Sequence, residues 1–212
     1  MTQSRRTVYL YVLETLADWE IGFVTAELNS GRYLADPDAV TMTTVGATTQ
    51  PIRTMGGMSV TPEAGIDEVT FHEGDALILP GADTWMNGSH TSVLDRTETL
   101  LEDGVTVAAI CGATVALAQT GTLDDREHTS NDGGFLKMAC PAYRGEECYR
   151  NVPVVVDGSL ITASGLAPLE FAHALFGELD AMRPDVLTAW YDLYRTRDPL
   201  HFQALMAAMG DG

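Results

Sequence analysis

The run Val105-Thr106-Val107-Ala108-Ala109-Ile110 passes without a linker into Cys111-Gly112-Ala113-Thr114 and on into a helix-forming segment that ends at Gln119. An apolar run of this length, with no polar alternation, reads as a strand buried on both faces. A helix that follows such a strand at once demands a tight turn. The residues around it must be small, and Ala109 and Ala113 stand two positions either side of Cys111. Strand, sharp turn and helix with a nucleophile at the apex is the plan of a nucleophile elbow. A thiol at that apex also lies over a helix N-terminus, whose partial positive charge favours the thiolate.

The rest of the chain repeats the same alternation. Val8–Leu13 reads as a first buried strand. Leu16–Leu28 follows as a helix, with Thr15 as its cap and apolar positions at Leu16, Trp19, Phe23 and Leu28. Val40–Val45 is a second strand, and Gly56-Gly57 marks a turn between short extended pieces in Ile52–Val60. Asp75–Leu79 runs into the loop Pro80-Gly81-Ala82, and His90–Asp103 reads as a helix closed by Gly104. Val152–Val156 and Leu160–Ala163, joined at Asp157-Gly158, form a hairpin signal. Helices are expected over Leu166–Leu179, Pro184–Arg195 and Pro199–Met209, whereas Gly133–Arg150 reads as loop. Strands alternating with helices indicate an α/β domain with a mostly parallel central sheet covered on both faces. Sites in such sheets form at the carboxyl ends of strands. Three segments lie there: Asp18-Trp19-Glu20, Pro80-Gly81-Ala82 and Cys111.

Composition narrows the partners. The 212 residues fit one domain, with 182–212 as a C-terminal helical extension. A formal charge of -18 repels nucleic acid and anionic membranes, so neither is expected as a partner. No secretory signal is visible, because Arg5 and Arg6 precede only the short run Val8–Leu13. The three cysteines, Cys111, Cys140 and Cys148, have no C-x-x-C spacing and fit free thiols in a reducing, cytoplasmic compartment. Cys140 and Cys148 read as structural or exposed thiols, one of them a possible resolving partner for an oxidised Cys111. No H-E-x-x-H, Walker or G-x-G-x-x-G pattern occurs, so no metal and no cofactor is expected.

Two further residues join the candidate site. Glu20 enters the first helix just past the first strand. If buried there, its carboxyl would hold a proton and donate a hydrogen bond to the thiolate. His128, in Arg126-Glu127-His128-Thr129-Ser130-Asn131, lies on a polar segment that returns towards the sheet, where an imidazole can serve Cys111 as base or acid.

Four segments together resemble the ThiJ/PfpI family, within the class I glutamine amidotransferase-like superfamily: Asp18-Trp19-Glu20, Leu77-Ile78-Leu79-Pro80-Gly81-Ala82, Ala109-Ile110-Cys111-Gly112-Ala113 and Leu160-Ile161-Thr162-Ala163-Ser164-Gly165. Gly121-Thr122-Leu123-Asp124 with His128-Thr129-Ser130-Asn131 resembles a bacterial type 1 glutamine amidotransferase-like subgroup. The resemblance spans Val8 to about Leu179. It implies a flavodoxin-like three-layer sandwich and a homodimer. It casts Cys111 as the nucleophile, Glu20 as its acidic partner, and the amides of Ala82 and Gly112 as the oxyanion hole; His128 matches a histidine placed near the nucleophile.

PfpI-type peptidases carry histidine directly after the cysteine, where this chain has Gly112. Glutamine amidotransferase domains end on a His-x-Glu pair that Gly165–Glu170 does not contain. Both departures point away from peptidase and glutaminase activity. The expected substrate is a small molecule with an electrophilic carbonyl or amide, in glyoxalase-like or hydrolytic chemistry. The alternative is a non-catalytic redox sensor or protective protein with an oxidisable Cys111.

Overall fold

A computed structural model describes residues 5–210. Nine strands form in chain order: β1 Arg6–Tyr11, β2 Val40–Gly46, β3 Ile52–Arg53, β4 Ser59–Val60, β5 Ala64–Gly65, β6 Ala76–Leu79, β7 Thr106–Ile110, β8 Val154–Asp157 and β9 Leu160–Ala163. Seven of them make one sheet in the order β5-β2-β1-β6-β7-β9-β8, parallel except where β8 runs antiparallel to β9. The separate antiparallel pair is β3 with β4. The inner strands explain themselves: Ala76–Leu79 and Val107–Ile110 are wholly buried, as an unbroken apolar run covered on both faces requires. The expected hairpin forms between β8 and β9, with Gly158 supplying a φ of 58° at the turn.

The seven helices are α1 Asp18–Ser30, α2 Thr91–Glu102, α3 Gly112–Thr120, α4 Gly133–Ala139, α5 Pro168–Glu178, α6 Pro184–Thr196 and α7 Pro199–Gly210. α1, α5 and α6 pack side by side on one face, while α2 and α3 cover the other, with α4 leaning on α3. The result is the mostly parallel three-layer arrangement expected from the alternation. No helix among the described residues is long and apolar enough to cross a membrane.

Several local expectations change. α1 starts at Asp18, and its first residue is preceded by Ala17, which offers no side-chain cap. Thr15 instead sits at φ 64°, where its hydroxyl accepts from the Asp83 amide (2.9 Å) and ties two loops together. Trp19 does not face the core; it is 54% exposed, and the helix buries Glu20, Val24, Glu27 and Leu28. α4 occupies part of the segment expected as loop. It is held by Asp132, whose Oδ1 accepts from the Phe135 amide at 2.7 Å. α5 begins at Pro168 rather than Leu166, because proline suits a first helical turn.

Of the segment after residue 182, α6 is built into the core, whereas α7 buries only Leu205. Trp190 of α6 is fully buried against Phe176 and Phe23, and its indole N–H donates to Glu27 Oε1 at 3.1 Å. Glu27, buried on α1, also accepts two bonds from Arg32, at 2.7 Å (Nε) and 2.5 Å (Nη2). This cluster locks α6 to α1. Arg32→Met takes two hydrogen bonds from a buried carboxylate and, because Arg32 is half-exposed and water screens the pair, is expected to cost about 1–2 kcal/mol in urea denaturation. Trp190→Phe, which keeps most of the packing and loses one hydrogen bond, is expected to cost about 1 kcal/mol. A loss below about 0.5 kcal/mol for the arginine variant would show that the cluster does not fasten the helix.

Candidate active site

The site is built at the carboxyl edge of the sheet, where β7 ends and α3 begins. The Cys111 amide still follows the strand and donates to the Ala163 carbonyl (3.0 Å), while its own carbonyl already accepts from the Thr114 amide (3.1 Å). Its backbone sits at φ 60° and ψ -123°, outside the regions open to a residue with a Cβ. Such a conformation costs on the order of 1–3 kcal/mol and persists only where its surroundings over-determine it. Thr114 helps to do so. Its hydroxyl donates to the Cys111 carbonyl (2.6 Å) and bonds Ser130 Oγ (2.7 Å).

Two glycines bring backbone up against the thiol. A Cβ on Gly165 would stand 2.8 Å from Cys111 Sγ, and one on Gly81 would stand 2.6 Å from Glu20 Oε2 and 2.9 Å from Cys111 Cβ. Any side chain at either position would displace Cys111 or Glu20. At Gly112 a Cβ would come within 3.1 Å of the Ala82 carbonyl and 3.6 Å of its nitrogen. The Ala82 and Gly112 amides thus border one space beside the sulfur. Neither donates to another backbone group among the described residues. The Gly112 N–H also reaches the Cys111 sulfur as a donor.

Glu20 lies beneath the thiol and is fully buried. Its Oε2 accepts from the Gly81 amide at 2.6 Å. Its Oε1 makes no hydrogen bond of ordinary geometry and lies alongside Cys111, each group perturbing the other. Burial pushes the carboxyl up to about 6, against the lowering pull of the thiol and the Gly81 amide. Burial likewise pushes the thiol up to about 11. The Asn131 amide and the Gly112 N–H draw it down, and an ionised Glu20 raises it both by its charge and as an acceptor.

The helix end favours the thiolate through the Gly112 N–H, as expected, and desolvation with the neighbouring carboxylate opposes it. The two groups titrate as a pair. When the proton sits on Glu20, the opposing charge is gone, and the thiolate has Asn131, Gly112 and the carboxyl O–H as donors.

Asn131 is the thiol's side-chain partner, with Nδ2 3.2 Å from Sγ. Its orientation is fixed because Oδ1 accepts from the Gly165 amide (2.8 Å), leaving the NH2 group to face the sulfur. His128, three residues earlier, goes elsewhere. Its Nδ1 donates to the Arg126 carbonyl (2.7 Å), and its Nε2 accepts from the Tyr143 hydroxyl (2.6 Å). Burial lowers the pKa of this imidazole, and with both nitrogens occupied it makes no hydrogen bond to Cys111. The structure therefore gathers Cys111, Glu20, Ala82 and Gly112 and leaves His128 apart.

The sequence reading missed Asn131 and the glycine that presses on the sulfur. Its polar segment was the right one, but no residue-type signal distinguishes an amide that meets a thiol from one that meets water. Cys140 is buried, with its thiol directed at the Val115 carbonyl, and Cys148 is half-buried. Among the described residues no cluster of three or more His, Cys, Asp or Glu side chains could hold a metal.

Comparison with known proteins agrees with this architecture. The model of the DJ-1/PfpI family matches residues 6–178, from β1 to the end of α5. A protein of Bacillus subtilis (strain 168) named uncharacterized protease YoaZ is 47% identical over 202 residues, covering 95% of this chain and 96% of that one. The crystal structure of a thiJ/pfpI family protein from Bacillus anthracis superposes with a TM-score of 0.93 at 46% identity, over 98% of each chain. DJ-1 superfamily protein Atu0886 from Agrobacterium tumefaciens superposes with a TM-score of 0.78 at 30% identity, over 91% of this chain and 98% of its own. A family match across nearly all of the sheet, together with these relatives, places the chain in the DJ-1/PfpI family.

Proposed function

We propose that Cys111 is a nucleophile for small electrophilic carbonyl compounds or amides, with Glu20 as its proton carrier. The observation that carries this reading is the buried carboxyl oxygen, Glu20 Oε1, lying unbonded against a thiol held at a strained bend. In the productive tautomer the proton rests on Glu20 and the sulfur is ionised. The thiolate adds to the carbonyl carbon, the π electrons move to oxygen, and the Ala82 and Gly112 amides receive that oxygen. Glu20 then returns its proton to the oxyanion, which closes the step as a hemithioacetal. With an α-oxoaldehyde, the now ionised Glu20 takes the proton from the former aldehyde carbon and delivers it to the neighbouring carbonyl carbon, while the hydroxyl proton passes to that carbonyl's oxygen, which gives a thioester. Water then releases a hydroxy acid and restores the thiol.

The relative named for protease activity raises the peptidase alternative. Against it, Gly112 stands where PfpI-type peptidases carry histidine, and His128 has no free nitrogen to serve as base. Three free cysteines support a reducing compartment. A second reading rests on the same carboxyl: a sulfinate formed at Cys111 by peroxide would accept a hydrogen bond from protonated Glu20. Two added oxygens at Cys111 after peroxide treatment, found by mass spectrometry in a protein without turnover, would select that reading.

Two outcomes test the catalytic reading. Methylglyoxal turnover is expected in the native protein and is expected to vanish in Cys111→Ala; equal turnover in the variant would rule the mechanism out. Glu20→Gln keeps an acceptor for Gly81 and puts a neutral N–H donor on the sulfur. The pH midpoint of Cys111 alkylation is then expected to fall by about one unit or more, as removal of a buried like charge requires. A midpoint that stays or rises would remove Glu20 from control of the thiol.

The same variant tests linkage. The folded-state pKa of Glu20 is raised, from 4.5 to about 6, so the unfolded chain ionises first as pH rises. Stability is therefore expected to fall between those two values, by about 2 kcal/mol, and to stay lower above them. Glu20→Gln is expected to abolish that fall, and denaturant midpoints measured across the window would show it.

A further inference from the structure

Asn131 has two neighbourhoods. Its amide nitrogen reaches Cys111 Sγ, and the residue also lines an open cleft of about 340 Å3 together with Asn151, Ser164, Leu166 and Glu170. Cys111 itself does not line the cleft; it begins one side chain away, with Asn131 as the wall shared with the sulfur and Ser164 and Leu166 flanking the Gly165 backbone that presses on it. No lysine or arginine among the described residues lines it. Its one formal charge is Glu170, held by a hydrogen bond from the Tyr191 hydroxyl (3.4 Å).

The nearby cations are committed elsewhere. Arg195, close enough to sense Glu170, pairs with Asp192 at 2.8 Å. Arg150, next to Asn151 in the chain, pairs with Glu127 at 2.5 Å. The N-terminus of α5 would ordinarily attract an anion, but Glu170 lies in its first turn and already supplies one. Beneath the thiol, Glu20 is a second carboxyl. Leu166, 94% exposed at the rim, offers apolar surface to an uncharged chain.

We propose that this cleft selects electrophiles whose remote arm is neutral or positively charged and excludes anionic ones such as oxo acids, with Glu170 as the specificity-determining residue. The proposal rests on the reading of Cys111 as a reactive nucleophile. An anionic arm would meet Glu170 in a partly desolvated space, where like charges repel far more than in water. A cationic arm would meet a carboxylate that forms no salt bridge of its own among the described residues, the nearby Arg195 being paired with Asp192. The overall charge of -18 adds the same preference at longer range, but salt screens that contribution and leaves the local one.

Two methanethiosulfonates of similar size test this, the cationic 2-(trimethylammonio)ethyl and the anionic 2-sulfonatoethyl reagents. With each, the thiolate attacks the sulfenyl sulfur, a mixed disulfide forms and methanesulfinate leaves. Rates at Cys111 are read by peptide mass spectrometry and normalised to 2-mercaptoethanol. The cationic reagent is expected to be faster by about tenfold in the native protein at moderate salt. Glu170→Gln is expected to cut that ratio by about threefold or more, while Glu178→Gln, an equal change of net charge at an exposed site on the same helix, leaves it unchanged. A native ratio within about twofold of unity, or a ratio untouched by Glu170→Gln, would overturn the proposal. Failure of both reagents to label Cys111 would bring down the reactive-thiol reading beneath it.

Discussion

A carboxyl and a thiol share one dry space, and the surrounding backbone is arranged around that pairing. Glu20 has no exposure and only one backbone donor, the Gly81 amide. A buried carboxylate so poorly compensated holds its proton more tightly than in water. The sulfur beside it is raised by the same burial, so the pair settles which of the two keeps the last proton. The protonation of Cys111 is therefore a property of two residues from different strand-to-helix junctions. It depends on the close approach that Gly81 and Gly165 allow.

Holding those groups in place requires a rigid frame. The Cys111 backbone lies where a side chain is unfavourable, and the sheet offsets that strain. β6 and β7 are fully buried, β9 receives the Cys111 amide, and Thr114 with Ser130 braces the turn. Such strain at Cys111 is tolerated because the neighbouring core leaves no lower alternative. The far side of the domain contributes as well. α1, which carries Glu20, is fastened through Glu27 to Trp190 of α6, so the C-terminal helices steady the helix that delivers the carboxyl.

Asn131 shows how a site can be assembled from a residue of modest chemistry. Gly165 takes its oxygen, and this fixes its NH2 group on the sulfur. The imidazole of His128, chemically the more obvious candidate, is spent on Tyr143 and on its own segment's Arg126 carbonyl. The choice between them turns on which side of a short extended segment faces the elbow. A three-residue difference in position carries that decision.

The amino-acid order by itself determined the alternation of strands and helices, the hairpin at Asp157-Gly158 and the apex at Cys111. These follow from local rules: apolar runs, glycine at turns and small residues at a tight bend. The same rules misplaced Thr15 as a cap and Trp19 as a core residue, and they overlooked α4, because each outcome was set by a partner distant in the chain or by a side chain capping its own backbone. Only the tertiary structure decided that Glu20 is dry, that Gly165 touches the sulfur, and that Asn131 rather than His128 meets it. Burial and close approach depend on segments far apart in the chain, and no periodicity within one segment encodes them.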